Sequence, residues 1–205
     1  MNNRGDLPPW PATHPEQGPI RLRRFTDADA AMAMALSRDP YVPTVGSLPA
    51  NATLEEALAW IARQRQRFTE GSGFSFSIAE LPSDRAVGNI GLWTRDLGQG
   101  RAQAGYAVVP SARGAGIAAA ALGALTTFAW SIDQLHRVEL YIEPWNVGSM
   151  RTAERCGYRR EGLLRSHQEI AGKRCDMVLY AATRDDIVRP PTDRGGATNA
   201  QQIVR

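Results

Sequence analysis

A predicted strand that enters a glycine-containing turn and then an alanine-rich helix constrains this chain more than any other feature. The strand spans residues 104–109 and stops at Pro110, and the turn contains Gly114 and Gly116. Apolar residues recur every three or four positions in the helix and predict one buried stripe, formed by Ile117, Ala121, Leu125, Phe128 and Ile132. The first N–H groups of a helix have no partner within it, and glycine admits a ligand close to the backbone. The segment therefore predicts a site for a phosphate or pyrophosphate.

The other elements place this turn in a mixed sheet. Alternating or continuous apolar runs predict strands at residues 20–25, 74–78, 86–94, 137–142, 158–170 and 174–182. Capping signals predict helices that begin at Thr26, Thr53 and Asn146, and the second should bury Leu54, Leu58, Ile61 and Phe68. The order β-α-α-β-β-β-α-β-α-β-β indicates an α/β (α+β) fold with one mixed sheet and helices against it. It differs from the regular alternation of a doubly wound nucleotide-binding fold.

Length and composition predict one folded domain between two irregular ends. The chain has 205 residues, of which 43% are hydrophobic and 22% charged, as in ordinary globular proteins. Residues 1–18 contain four prolines and are interpreted as a proline-rich N-terminal arm. Residues 19–183 form the predicted domain, and residues 184–205 are interpreted as a flexible C-terminal tail.

Several function classes are disfavoured by the same composition. Two cysteines and three histidines stand far apart in the sequence, so no metal site is expected. The net charge of +3 comes from scattered arginines rather than a dense basic stripe, a distribution that disfavours a nucleic-acid partner. No apolar run is long enough for a membrane span, and the polar N-terminus lacks a signal-peptide core, so a cytoplasmic protein is expected.

Two blocks of residues resemble the GNAT acetyltransferase superfamily. Arg113-x-x-Gly116-x-Ala118 is similar to that family's pyrophosphate motif, Gln/Arg-x-x-Gly-x-Gly/Ala, and lies between a strand and a long helix as the motif does. The second block combines Asn146-x-x-Ser149 with residues 154–158 (Glu-Arg-Cys-Gly-Tyr) and 161–162 (Glu-Gly). It resembles the ribosomal-protein-alanine acetyltransferase, or Rim-type, branch. The resemblance covers about residues 19–183.

The resemblance implies a GNAT fold: one mixed, mostly antiparallel sheet with helices on both faces and a splayed central strand pair. It implies acetyl-CoA as co-substrate, with no metal. The residues it assigns to CoA binding are Val108, Val109, Arg113, Gly114, Ala115, Gly116, Ile117, Ala118, Asn146, Ser149 and Arg155. Val108 and Val109 would pair with the pantetheine arm through their backbone, and the turn would hold the pyrophosphate.

Side-chain roles in the second block have simpler alternatives. Asn146 is a natural helix N-cap and, by the resemblance, also a pantetheine contact. Ser149 is either an exposed helix serine or the acid that protonates the leaving thiolate, which needs little help because a thiol pKa is about 8.5. Arg155, where the family usually has lysine, either meets a CoA phosphate or is solvated.

The general base is the least defined residue. A glutamate on the strand before the terminal hairpin is a candidate in the Rim-type branch, but alignment on Gly172 puts Gln168 there. Glu169 is the predicted catalytic base, although strand alternation should turn it to the opposite face unless a bulge intervenes. Other candidates are His167, Glu143 and Tyr141.

The leading hypothesis is direct transfer of acetyl from acetyl-CoA to a primary amine, with a protein N-terminal amine as the first acceptor suggested by the resemblance. A small-molecule amine such as an antibiotic, polyamine or amino acid is the main alternative. A non-catalytic CoA-binding module, made conceivable by Gln168, and another type of nucleotide-binding protein are further alternatives. A homodimer is compatible with all of them.

Overall fold

The computed structural model describes residues 7–185, which fold around one eight-stranded sheet. Its strands are β1 (Glu16–Gln17), β2 (Ile20–Arg23), β3 (Gly73–Glu80), β4 (Ala86–Trp93), β5 (Arg101–Val108), β6 (Arg137–Ile142), β7 (Arg159–Ile170) and β8 (Lys173–Thr183). The α-helices of this part of the chain are α1 (Ala30–Ser37), α2 (Val42–Val45), α3 (Leu54–Thr69), α4 (Ile117–Ala129) and α5 (Val147–Arg155).

The sheet has a gap at its centre. Its strand order is β1-β2-β3-β4-β5-β6-β8-β7, and every neighbouring pair is antiparallel except β5 and β6. These two parallel strands pair only from Arg101↔Arg137 to Gln103↔Glu139. On either side, β4 stays paired with β5 as far as Val108, and β8 stays paired with β6 as far as Ile142. The strands therefore splay apart after residue 103, as expected for the fold.

Helices cover both faces of the sheet. Phe74 and Phe76 of β3 contact Phe128 of α4, with ring centroids 4.9 and 5.5 Å apart. The intervening residue, Ser75, donates a buried hydrogen bond of 3.0 Å to Gln64 of α3. Successive side chains on a strand point to opposite faces, so α4 and α3 lie on opposite sides of the sheet. The predicted mixed sheet with helices on both faces is confirmed.

Local sequence signals explain most helix starts. The capping box of α3 is formed, because the Glu56 amide donates to Thr53 Oγ1 at 3.2 Å and the Thr53 amide donates to the Glu56 carboxylate at 2.8 Å. The prediction that Leu54 is buried is wrong, since its side chain is 56% exposed in the first turn. Sequence analysis also missed β1 and the four-residue helix α2, which have too few residues for a periodic pattern.

Residues at both ends of the predicted domain pack against it. Trp10 lies against Phe68, Phe74 and Phe76 (centroids 4.7–5.7 Å apart), and the Arg24 guanidinium lies 4.1 Å from the Trp10 ring centre. The described part of the proline-rich arm is therefore ordered over the core.

The folded unit extends at least one residue beyond the predicted C-terminal boundary of the domain at residue 183. Arg184, predicted as the start of the tail, donates to the carbonyl oxygens of Leu135 and Ile132 at 3.0 and 2.7 Å, so it belongs to the folded unit. The rest of the predicted tail, after residue 185, lies outside the described residues, as do residues 1–6 of the arm.

A buried ion pair joins β2 to the start of α1. Arg23 and Asp29, only 8% and 2% exposed, make two hydrogen bonds of 2.9 and 2.8 Å. Arg23 also bonds Asp84 at 2.9 Å, and the Asp29 carboxylate accepts from the Thr26 amide at 3.0 Å. Both charges are thus compensated, as buried charges must be.

Candidate active site

The gap between β5 and β6 exposes unpaired backbone groups of β5. The Val109 amide donates to the Val87 carbonyl oxygen at 2.9 Å, which turns that residue toward β4. Peptide groups alternate in direction along a strand, so those of Tyr106 and Val108 point toward the gap. The Val109 carbonyl also accepts from the Ala112 amide at 2.9 Å. Val109 therefore has no free backbone group for the predicted pairing with a ligand, whereas the peptide groups of Tyr106 face the gap.

The turn before α4 forms a cradle of amides. Gly114 and Gly116 have φ angles of 82° and 78°, a region that glycine adopts without the steric cost borne by other residues. A Cβ atom at either position would meet nothing within 4 Å, so the space beside the turn is open. The amides of residues 114–119 have no acceptor among the described residues, because the first helical bond runs from Ala120 to the Gly116 carbonyl. Together with the helix dipole, these amides suit an anionic group.

Arg113 ties this turn to the segment before α2. Its guanidinium donates to the Val108 carbonyl at 2.9 Å and to Asp39 Oδ2 at 2.6 Å. Asp39 is buried and also accepts from the amides of Tyr41 and Val42 at 2.8 and 3.0 Å. Burial of Asp39 acts to raise its pKa, but these amide bonds and Arg113 outweigh it and hold the pKa below its ordinary value. Sequence analysis missed Asp39, whose importance depends on a contact 74 residues away.

A cavity of about 700 Å³ runs from the cradle to the gap in the sheet. Its size is within the range of small-molecule and cofactor sites, ~300–1,000 Å³. Among the predicted CoA-binding residues it is lined by Val108, Arg113, Gly114, Gly116, Ile117, Ala118, Asn146, Ser149 and Arg155. Val109 and Ala115 do not line it, although the Ala115 amide belongs to the cradle. Arg151 lies on the same wall as Arg155 and adds a second positive charge that sequence analysis did not select.

A smaller cavity of about 230 Å³ extends from the gap toward α3. It shares with the larger cavity the residues Tyr41, Val42, Val45, Tyr106, Ala107, Asn146 and Ser149. Its far wall carries Gln64 and Arg67 from α3 and Trp93 from β4. The two cavities therefore meet at the splayed strands. A ligand in the larger cavity and a ligand in the smaller one could contact each other there.

Ser149 and Tyr106 lie where the cavities meet. The Ser149 amide donates to Asn146 Oδ1 at 3.1 Å, so Asn146 caps α5 and fixes Ser149 in the first turn. Burial raises the pKa of Tyr106, although the neighbouring hydroxyls of Ser149 and Thr152 act in the opposite direction. The Tyr106 hydroxyl oxygen is buried without a partner in good hydrogen-bond geometry. An unsatisfied buried hydroxyl beside Ser149 fits a polar group of a ligand in the gap.

The structure corrects the expectation for Glu169. Gln168 and Ile170 line the smaller cavity, whereas Glu169 is exposed on the other face and pairs in register with Arg174. The bulge in β7 lies between Leu164 and Gln168, before Glu169, so it does not turn this carboxylate inward. Glu169 is therefore not placed to act as a base in the cavity.

The other candidate bases either contact another side chain or lie outside the two cavities. His167 stacks on Tyr141 with ring centroids 4.8 Å apart and is exposed. The Tyr141 hydroxyl donates to Glu139 at 2.8 Å, and burial together with Glu139 raises the pKa of Tyr141 to about 12. Glu143 is buried and does not line either cavity. No carboxylate or imidazole thus lines the smaller cavity among residues 7–185.

Metal centres and membrane-spanning helices are absent from the part of the chain that the structure describes. Residues 7–185 contain no group of three or more His, Cys, Asp and Glu side chains arranged to hold a metal ion. None of their helices combines the length and apolarity that a membrane crossing requires.

The amide cradle and the gap in the sheet suit an anionic co-substrate, and comparison with known proteins identifies the family. Residues 20–159 match the model described as the acetyltransferase (GNAT) domain, so the chain belongs to this family. A Bacillus licheniformis N-acetyltransferase, named as uncharacterized, is 26% identical over 162 residues, covering 79% of this chain and 91% of that protein. The chain is therefore an N-acetyltransferase, as predicted.

Ribosomal N-acetyltransferases also occur among the similar proteins. Bacillus subtilis YdaF, provisionally named as one, is 32% identical over 117 residues, which cover 57% of this chain and 63% of YdaF. The structure of Mycobacterium smegmatis RimJ in complex with CoA-disulfide superposes with a TM-score of 0.71 and 26% identity, covering 88% of this chain and 91% of RimJ. The resemblance to the Rim-type branch is confirmed by these relatives.

Proposed function

We propose that this protein transfers the acetyl group of acetyl-CoA to the α-amine at the N-terminus of a peptide or protein. The observation that carries the proposal is the meeting of the two cavities at Tyr106 and Ser149, with no base in the smaller one. The names of RimJ and YdaF support the same class of acceptor.

The larger cavity suits CoA from the phosphate end to the thioester. The amides of residues 114–119 would hold the pyrophosphate, and Arg151 and Arg155 would meet negative charge along the wall. The Tyr106 carbonyl and the Val108 amide, which face the gap, would pair with the amide-containing pantetheine arm, whereas the Val108 carbonyl already accepts from Arg113. Bound acetyl-CoA supplies an activated acetyl group whose thiolate leaves readily.

In the transfer, the amine nitrogen bonds to the acetyl carbon while the carbon–sulfur bond breaks. The amine loses one proton, and the departing thiolate gains one to become the CoA thiol. The protein's part is to orient both reactants in the gap, with the Tyr106 amide toward the acetyl oxygen. Ser149 or Tyr106 would donate to the sulfur. Neither donation has to be strong because a thiol pKa is only about 8.5.

The absence of a carboxylate or imidazole from the described lining of the smaller cavity favours an α-amine. An amine must be neutral to attack, and a peptide α-amine with pKa about 7.8 is roughly one-third neutral at pH 7.5. A lysine side chain with pKa about 10.4 is only about 0.1% neutral at the same pH. Without a carboxylate in the smaller cavity to accept the proton, the acceptor with the lower pKa is favoured because its neutral fraction is about 200-fold larger.

The proposal is tested with peptides that differ only in which amine is free. One peptide has a free N-terminus and a dimethylated lysine; its matched control has a blocked N-terminus and a free lysine. Release of CoA thiol and the mass of the product are measured with each. We expect acetylation of the free α-amine alone. Acetylation of the lysine peptide at an equal rate would refute the proposal. A second experiment adds isotope-labelled acetyl-CoA to a cell extract, and label found only in small amines would also refute it.

A further inference from the structure

Arg67 occupies an unusual position in the smaller cavity. It lies near the end of α3, is half-buried and is the one charged residue among those described as lining this cavity. Its guanidinium lies 5.3 Å from the ring centre of Trp93, a cation–π contact. Arg67 makes no ion pair with a carboxylate anywhere in residues 7–185.

The neighbouring arginines of α3 differ from Arg67. Arg65 pairs with Asp27 at 2.8 Å, and Arg63 donates to the Ser47 carbonyl at 3.2 Å. Burial and the charge of Arg63 lower the pKa of Arg67, against a weaker opposite effect of Glu70. A guanidinium remains charged even so. A half-buried cation without an ion-pair partner is destabilised, and an anion that enters the cavity would compensate it.

The Trp93 ring, which contacts the Arg67 guanidinium, packs against two glycines of the sheet. Gly91 and Gly105 face each other on β4 and β5. A Cβ atom added at Gly105 would lie 3.0 Å from the Trp93 ring, and one added at Gly91 would lie 3.2 Å from it. The indole therefore lies directly over this glycine pair, where any larger residue would displace it. The sheet surface thus provides a fixed platform for Trp93 and, through it, for the guanidinium.

The cavity chemistry disfavours a polycationic acceptor and favours an anionic one. Apart from Arg67, the described polar side chains on its walls include the neutral amides of Asn89, Gln103 and Gln168. A polyamine or aminoglycoside would bring additional positive charge next to an uncompensated guanidinium. A carboxylate would instead form a charge-assisted pair, for which the planar guanidinium is well shaped.

We infer that the acceptor carries a carboxylate close to its amine and that Arg67 binds this carboxylate. Within the proposed function, on which this inference rests, the acceptor is a peptide with Asp or Glu among its first residues. The α-carboxylate of a free amino acid is a second source of the same chemistry.

The inference is tested with two peptides that are identical except for Glu or Gln at the second position. We expect the wild-type protein to acetylate the Glu peptide with a kcat/KM about tenfold higher or more, the effect of one charge-assisted bond. In Arg67→Gln the preference should fall below about twofold, because the Glu peptide loses its charge-assisted bond to Arg67 whereas the Gln peptide had no such bond to lose. Calorimetric binding of both peptides without acetyl-CoA should show the same loss of preference.

Arg65→Gln is the matched control, since it removes one positive charge from the same helix outside both cavities. It should keep the wild-type preference. A wild-type protein that does not prefer the Glu peptide, or an Arg67→Gln protein that still does, would overturn the inference.

The labelled-extract experiment separates this inference from the proposed function. If the extract shows labelled free amino acids, the N-terminal acceptor is refuted. The role of Arg67 is still supported if the protein prefers a free amino acid over its amide and Arg67→Gln loses this preference. Labelled polyamines or other amines without an anionic group would overturn both.

Discussion

Replacing Gly116 with tryptophan tests whether the amide cradle holds the pyrophosphate. Gly116 begins α4 with φ of 78°, and a side chain there would extend into the open space of the larger cavity. The substitution has two separable effects. A non-glycine residue in this backbone region costs about 1–2 kcal/mol, which lowers the melting temperature by about 2–8 °C in a protein of this size.

The second effect is on ligand binding. An indole in the cradle would displace the pyrophosphate from at least two amides. Hydrogen bonds to charged groups each contribute about 1.5–3 kcal/mol. Losing two of them removes about 3–6 kcal/mol, which weakens acetyl-CoA binding by about 10²- to 10⁴-fold.

Calorimetric titration with acetyl-CoA measures the affinity, and thermal unfolding measures the strain. Gly157→Trp is the matched control: Gly157 follows α5 with φ of 80°, a Cβ there meets nothing within 4 Å, and the residue lines neither cavity. It should lose similar stability and retain its affinity. An affinity within threefold of wild type in Gly116→Trp, or an equal loss in Gly157→Trp, would refute the reasoning.

Three further predictions concern stability and chemistry. Asp29→Ala should reduce the free energy of unfolding by about 3–5 kcal/mol, measured in urea, because it leaves the buried Arg23 with only the exposed Asp84 as a counter-charge; a loss below 1 kcal/mol would contradict this account. Ser149→Ala should lower kcat by less than about tenfold without changing the affinity for acetyl-CoA, since the thiolate leaves readily; a larger loss would make Ser149 a required acid. Between pH 5.5 and 7, kcat/KM for a peptide should rise about tenfold per pH unit and level off near pH 8, where the α-amine is neutral. The tyrosines that line the two cavities, Tyr41, Tyr106 and Tyr141, have raised pKa values and stay protonated throughout that range, so an additional inflection below pH 7 would reveal a base that the cavity does not show.

Short-range patterns predicted the elements well where they were long and periodic. The strand at residues 137–142 has the predicted bounds, and the box at Thr53 and the cap at Asn146 form as expected. The hairpin turn at Ala171-Gly172 also lies where predicted, between β7 and β8. In these segments the signal and the structure depend on the same few neighbouring residues.

The candidate site was predicted only in part. Strand alternation already made Glu169 doubtful, and the register of β7 against β8 places it outside. Val109 was selected by its position in a motif, but which amides of β5 remain free depends on the pairing with β4. Asp39 and Arg67 carried no local signal at all.

The sequence by itself determined the order of the longer elements, the amide cradle before α4 and the family, because each is encoded within contiguous stretches of a few to twenty residues. The tertiary structure alone decided how the gap between β5 and β6 joins two cavities, that Asp39 anchors Arg113, and that Arg67 has no ion-pair partner in residues 7–185. These features depend on residues distant in the chain, and on how far two strands stay paired before they diverge. Burial and charge compensation are properties of the whole packed chain, so no local pattern of residues can specify them.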